Sequence, residues 1–503
     1  MGKKGIILSL IVCLAVGSSG IILENNSKNS KVYTEEKITN KPEQEKQKQQ
    51  RETRNETVQL LEAMEGSYDE KHIILTNINK SEAEKIADDL DAEVKLTNDE
   101  KYAVLYLDEE KDIRSVLEDD DYLEYVDNML PDFYGTLCSD NSLYNAESLN
   151  EISDAVNLKD TWNVTKGAGV RVAVIDTGID TDNPYLASKI SKDSFNAVTG
   201  KSVVDYDLGV IEEGDTLSSH GTKVASVIAA DSDIETGIGG IAPDVELVVI
   251  KIVDDGNMQI TASNVIFAMA YAIEKDVDII NMSFSFEYDE NPFAKYTKLA
   301  VDSDIVCVAS AGNHGTSACE WPAADENVIG VGAVSKLKKG GTTASTTITE
   351  EGEVIDIYTL NSKSNYGENV DVVAPDGIIA TNSDEEVEGF EGTSAASALT
   401  SGSIALYLSQ NKSQEYKVVK EILYAAGNDM GMPGIDWYYG CGMLDVDALV
   451  VEEKGKITYD YLTEEIKKES HIFVRGHKLQ EVPEPDRTFS VFDGWYHDIQ
   501  CID

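Results

Sequence analysis

The sequence predicts an α/β protein in three layers, a mainly parallel sheet with helices on both faces, preceded by a small βαββαβ unit. Three observations carry that reading. Short apolar runs at residues 170–175, 247–252, 278–282, 305–309 and 328–334 alternate with helical stretches such as Ala262–Glu274. Strands that are apolar throughout are buried on both faces, as in a parallel sheet covered by helices. Ahead of them, residues 71–135 read as strand, helix, two strands, helix and strand. Finally, 42% of the 503 residues are hydrophobic, enough for a large core and too many for a wholly disordered chain.

In chain order, Lys3 and Lys4 precede an apolar run over residues 6–16 and the small residues Gly17-Ser18-Ser19-Gly20. A basic start, a short apolar core and small residues match a secretory signal, while Ile21-Ile22-Leu23 lengthen the run enough for an uncleaved anchor. Residues 1–23 are therefore a signal peptide or an N-terminal membrane tether, and the rest of the chain is expected to be secreted or extracellular. Residues 24–70, rich in Lys, Glu, Gln and Asn, read as a polar linker, disordered or loosely helical. Strand 72–76 opens the small unit. Ser81 with Glu84 forms a capping box, after which Ala83, Ile86, Ala87 and Leu90 share one helical face. Strands at 92–96 and 102–107, a helix at 110–117 and a last strand at 122–127 complete the unit. The parallel-sheet region spans 136–450. Residues 451–503, with Tyr, His and Pro scattered among charges, form an appendage of unassigned role.

The 42 basic against 92 acidic side chains leave a formal charge of −50. That argues against a nucleic-acid partner, whose phosphates need Lys and Arg to displace counterions, and it would draw cationic peptides. Beyond Cys13 in the leader, Cys138, Cys307, Cys319, Cys441 and Cys501 remain. Five is odd, no C-x-x-C pair suggests zinc, and one or two disulfides are plausible outside the cell.

Three motifs fall where such a sheet gathers its chemistry, at strand ends and helix starts. Asp176-Thr177-Gly178 follows the strand at 170–175. His220-Gly221-Thr222 opens one helix, and Gly392-Thr393-Ser394-Ala395-Ala396 opens another. A serine hydroxyl becomes a nucleophile when a neutral imidazole takes its proton, and the imidazole needs a buried carboxylate to hold its tautomer. A serine at a helix N-terminus also has free N–H groups beside it to stabilise developing negative charge. The motif is not the Gly-x-Ser-x-Gly elbow, because Ala396 replaces the second glycine. The chain order Asp176, His220, Ser394 is the order of the subtilisin triad.

On these residues the chain resembles the subtilisin-like serine endopeptidases over about residues 155–450. Val172-Ala173-Val174-Ile175-Asp176-Thr177-Gly178 is close to the family pattern. Around the base, Lys223 stands where a second His is common and Ser226 where Gly is usual. Around the nucleophile, Ala395 and Ala398 stand for the usual Met and Pro. The resemblance implies that Asn313, in Ala311-Gly312-Asn313, donates its amide to the oxyanion alongside the N–H of Ser394. It implies that residues 71–135 are an inhibitory prosegment, the chain's own propeptide acting as intramolecular inhibitor, with self-cleavage between about Pro131 and Ser142. A peptide or protein substrate would lie as an added strand between residues 283–286 and the loop 255–259. Ser283, Phe284, Ser285 and Gly312 would line that groove, and the bulky Phe284-Ser285-Phe286, where the family has Gly, would narrow it. Glu320 either floors the primary pocket, favouring Lys or Arg before the cleaved bond, or is a surface carboxylate. No cofactor and no metal are expected. The loop 231–237 sits where relatives bind calcium, but Tyr185 replaces a ligand, so a site near Asp233 would be weak or absent. A monomer is expected. A narrower reading is a leader-processing protease, as the lantibiotic leader peptidases of this family are. Two readings of other kinds are a catalytically silent protease-like binding protein, and an esterase with its base among His471, His477 and His497.

Overall fold

In a computed structural model, the described residues are 36–474 and 477, apart from 65, 98, 109, 139–146, 203–218, 255–258, 289–290, 337–346, 349–353, 356–357, 413 and 461–467. The signal or anchor at 1–23, Cys13, Cys501, His497 and most of the loop 255–259 lie outside them.

The small unit comprises strand β1 (Tyr68–Leu75), helix α2 (Lys80–Leu90), strands β2 (Glu93–Leu96) and β3 (Ala103–Tyr106), helix α3 (Ile113–Glu118) and strand β4 (Met129–Leu137). It is preceded by helix α1 (Glu36–Ala63). Its antiparallel sheet runs β4-β1-β3-β2, the βαββαβ order expected. Three details differ. The capping box of α2 is Asn79 with Glu82, not Ser81 with Glu84, so the helix starts two residues earlier. Residues 120–128 form a 3₁₀ helix rather than a strand. Its buried residues, Leu123 and Val126, are three apart, which is the 3₁₀ period and not the strand period of two. The closing strand is β4, and it runs straight through the expected boundary at 135/136.

The expected polar linker is also largely helical. Only the end of α1 is apolar: Leu61 is fully buried and Val58, Leu60 and Met64 pack beside it. Arg54 pairs with Asp120 at 2.6 Å, and Arg114 donates to the carbonyl of Leu61 at 3.1 Å, satisfying one of the helix's last acceptors.

The large region is built on strands β5 (Arg171–Asp176), β6 (Glu246–Lys251), β7 (Ile260–Thr261), β8 (Ile279–Met282), β9 (Phe284–Ser285), β10 (Val306–Ser310), β11 (Val328–Lys336) and β12 (Val372–Pro375). Its helices include α4 (His220–Ala229), α5 (Ala262–Glu274), α6 (Thr393–Gln410) and α7 (Tyr416–Ala426). The parallel order is β12-β11-β10-β8-β5-β6. Both faces are covered. Val172 and Val174 of β5 join the core shared with α4 and α6, whereas Ala173 and Ile175 join the core shared with α5. That is why each strand reads as continuously apolar. The small unit's core is continuous with the α5 side. The appendage contributes an antiparallel hairpin, Lys454–Asp460 with Lys468–Val474, whose Val474 is buried against the α6 core.

Among the described residues no disulfide joins any two of Cys138, Cys307, Cys319 and Cys441, so the expectation of disulfides finds none there. Among the described residues no helix is long and apolar enough to cross a membrane.

Candidate active site

The three motifs converge at the carboxyl ends of β5 and β8. Asp176 closes β5, His220 is the first residue of α4 and Ser394 the second of α6. All three are buried. His220 Nδ1 lies 2.8 Å from Asp176 Oδ1, and His220 Nε2 lies 3.1 Å from Ser394 Oγ. The Thr177 N–H donates to the same Asp176 oxygen at 2.7 Å, fixing the carboxylate. Asp176 can accept only from a protonated Nδ1, which leaves Nε2 as the lone-pair nitrogen facing the serine. The Ser394 hydroxyl also donates to the Ser283 carbonyl at 2.8 Å. One proton thus has two acceptors, and the serine can turn from a resting bond to the imidazole without moving its backbone. The Phe390 ring stands edge-on to the imidazole, 5.4 Å between centres.

An extended stretch of the chain itself occupies the adjoining cleft. In β4, Leu137 and Thr136 pair with Phe284 and Ser285 of β9, and Tyr134 and Gly135 pair with Thr261 and Ile260 of β7. The strand therefore lies between the expected edge at 283–286 and β7, which follows the expected loop 255–259 in the chain. Beyond it, the Cys138 N–H meets the Ser283 carbonyl at 3.4 Å, and the Ser394 N–H donates to the Cys138 carbonyl oxygen at 3.0 Å. Asn313 stands beside the same carbonyl. Its Oδ1 accepts from the N–H and the hydroxyl of Thr393, at 3.1 and 3.0 Å. An N–H must face an oxygen, so the amide's Nδ2 is turned the other way, onto Gly392. Gly392 has φ +95°, and a Cβ there would lie 2.7 Å from Asn313 Nδ2 and 2.9 Å from the Cys138 oxygen. Only glycine leaves this corner open.

The Cys138 side chain is buried in a pocket and its Sγ donates to Ser285 Oγ at 3.1 Å. Burial pushes its pKa up to about 12, so it stays a neutral thiol. Glu320 lies below. It is 7% exposed, which overturns the surface alternative, but it is not a free anion. Its Oε1 accepts from Asn365 at 2.9 Å and meets His314 Nδ1 at 2.6 Å, and its Oε2 accepts from the Ser285 hydroxyl. The hydrogen bond that His314 donates to Glu320 raises the His314 pKa. Gly312 brings the backbone close to this group, where a Cβ would meet Asn365 Nδ2 at 2.3 Å. Phe284 does not narrow the groove: its ring is buried in the core, and the aromatic that closes on the strand is Phe286, over Gly135.

Sequence reasoning missed His314 and Asn365, which act only through their neighbours and carry no motif of their own, and it gave Thr393 no role although the residue stands in the motif Gly392-Thr393-Ser394. Thr393, adjacent to Ser394, is the one whose place could have been noticed. In the loop 231–237 the Asp231 and Asp233 carboxylates are engaged by protein groups. Asp233 accepts from the Glu235 N–H at 2.8 Å and from the Tyr185 hydroxyl at 3.4 Å, and Lys189 takes Asp231 at 2.8 Å. Among the described residues no cluster of three His, Cys, Asp or Glu could hold a metal ion.

Residues 167–442 match the subtilase family, more than half of the chain. The chain belongs to the subtilase family of serine endopeptidases. Within that family it is 35% identical over 253 residues to the thermophilic serine proteinase of Bacillus sp. (strain AK1), covering 50% of this chain and 55% of that one. It is 32% identical over 270 residues to the major intracellular serine protease of Bacillus subtilis (strain 168), covering 51% and 76%. This subtilase thus spans about half the length of the first and three quarters of the second. Among solved structures, fervidolysin from Fervidobacterium pennivorans, described as a keratinolytic enzyme related to subtilisin, superposes with a TM-score of 0.62 over 79% of this chain and 64% of that one. At 20% identity that likeness concerns the fold alone.

Proposed function

We propose that this subtilase is a secreted serine endopeptidase made as a self-inhibited precursor, which cuts its own chain after Cys138. The observation that carries the proposal is the Ser394 N–H donating to the Cys138 carbonyl, on the same residue whose hydroxyl faces His220. In this reading His220 Nε2 takes the Ser394 proton as Oγ attacks the Cys138 carbonyl carbon. The oxyanion is stabilised by the Ser394 N–H and by Asn313 Nδ2, and Asp176 holds the imidazolium. His220 then returns the proton to the amine of residue 139, which leaves, and a water hydrolyses the ester on Ser394 by the same route. The small unit is the propeptide. After cleavage β4 still pairs with β7 and β9, so the product stays in the cleft as inhibitor. The basic start and apolar run at 3–23 support export, with or without an N-terminal tether.

A fluorophosphonate probe tests the reading on the processed protein. Labelling of Ser394, lost in Ser394→Ala and His220→Ala, supports it. A chain that takes no label once the propeptide is removed is a silent binding protein, and the proposal falls.

A further inference from the structure

We infer that Phe286 restricts this enzyme to segments carrying glycine at the fourth residue before the cleaved bond, an inference that rests on reading the cleft as an endopeptidase's. With Cys138 at the cut, Leu137, Thr136 and Gly135 are the second, third and fourth residues back, and Gly135 lies beside Phe286. A Cβ built on Gly135 would sit 2.7, 2.8 and 2.9 Å from three ring carbons of Phe286. Carbon atoms in contact stay about 3.5–4.0 Å apart, so an alanine there collides with the ring. The backbone does not ask for glycine at this position, since Gly135 is not among the glycines with positive φ. What Gly135 supplies is space.

The ring cannot make that space instead. Phe286 is 1% exposed. Phe284, Phe293 and Tyr288 pack around it, with ring centres at 5.9, 5.1 and 5.9 Å. Its backbone is tied on both sides to Trp321, by N–H···O bonds of 2.8 and 3.0 Å. A ring locked by three aromatics and two backbone bonds does not yield to a methyl group without disturbing the core. Thr136 is exposed and Leu137 half-buried, so neither is gripped as closely. The substrates implied are extended segments of the pattern Gly-x-x-Cys, with glycine as the strict requirement.

The test uses the full chain after its own processing and peptides of sequence Tyr-Xaa-Thr-Leu-Cys-Ser, where Xaa is Gly, Ala or Leu, with fluorophosphonate labelling of Ser394 read in parallel. The glycine peptide is expected to be cut after Cys, and the alanine peptide to lose about tenfold or more in kcat/KM, the scale on which one methylene is discriminated. Phe286→Leu is expected to bring the glycine and alanine peptides within about threefold of each other. Because shrinking a buried ring can unfold the chain, Gly135→Ala supplies a second measurement: it leaves the enzyme's own groove intact and should slow self-cleavage by a similar factor. Alanine or leucine peptides cut as fast as glycine, or Gly135→Ala processed at the normal rate, overturn the inference while labelling leaves the endopeptidase reading standing. Loss of labelling and of all cleavage overturns that reading itself.

Discussion

The carbonyl oxygen of Cys138 accepts a 3.0 Å hydrogen bond from the backbone N–H of Ser394. A carbonyl held by the nucleophile's own amide, at the N-terminus of α6, is positioned for attack. The precursor should therefore cut between Cys138 and Ser139. Intact-mass analysis of the purified chain should find a mature form beginning at Ser139, and Ser394→Ala should remain uncut. A mature terminus elsewhere would mean that β4 is bound as an inhibitor only.

Asn313 offers a second test. Thr393 fixes its Oδ1, so Nδ2 is aimed beside the Cys138 oxygen before any charge forms there. Asn313→Ala should lower kcat by about 10²–10³, the magnitude known for the equivalent donor in subtilisin. KM should change little, because the bond matters once the oxygen is negative. Steady-state kinetics on a peptide substrate separate the two. A variant with unchanged kcat and raised KM would assign Asn313 to ground-state binding instead.

A third expectation concerns pH. Asp132 of the small unit is fully buried and accepts from the Ser263 N–H and hydroxyl at the first turn of α5, at 2.8 and 2.6 Å. His72 Nδ1 lies 3.2 Å from the same carboxylate. Burial opposes the charge on His72, but the bond to Asp132 and the nearby Asp69 outweigh it, so its pKa is raised above 6.5. A group with a raised folded-state pKa adds stability that is fully present below its unfolded value and is lost as pH climbs through the folded one. The urea midpoint of Ser394→Ala precursor should thus fall as pH rises above about 6.5, and His72→Gln should flatten that dependence. A midpoint that holds steady from pH 6 to 8 would remove His72 from the interface's stability.

The meeting of Asp176, His220 and Ser394 is legible in the sequence because each is marked twice, by its own motif and by the strand or helix beside it. Ala262–Glu274 is legible to the residue, since Thr261 accepts from the Asn264 N–H and starts the helix locally. What sequence could not show is decided by tertiary contact. Helix α1 is polar almost throughout and is held by Leu61 at one end and by Arg54 on Asp120, a partner 66 residues away. Glu320 reads as a free anion until Asn365 and His314 are brought against it. The run at 122–127 looks like a strand because Leu123 and Val126 are apolar, and their spacing of three makes a 3₁₀ turn once the sheet beside it is complete.

Asp376 carries the last prediction. It follows β12 and is almost fully buried, and its carboxylate accepts from the Ser335 hydroxyl at 2.7 Å, from Asn361 Nδ2 at 2.6 Å and from the Gly392 N–H at 3.1 Å. Gly392 walls a corner that Asn313 Nδ2 and the Cys138 oxygen both border, so Asp376 holds that wall without touching the substrate. Asp376→Ala would leave the buried Gly392 N–H without its acceptor, at about 1–3 kcal/mol for an orphaned buried donor, and would remove the same partner from the half-buried Ser335 and Asn361. Asp376→Asn keeps one acceptor oxygen, which in the place of Oδ2 holds both Gly392 and Asn361, while its amide replaces the acceptor of Ser335. We expect Asp376→Ala to lower both Tm and kcat with KM nearly constant, and Asp376→Asn to recover most of the kcat but only part of the Tm. If both variants lose Tm equally while kcat per labelled Ser394 is unchanged, Asp376 supports the fold alone and has no part in positioning the oxyanion corner.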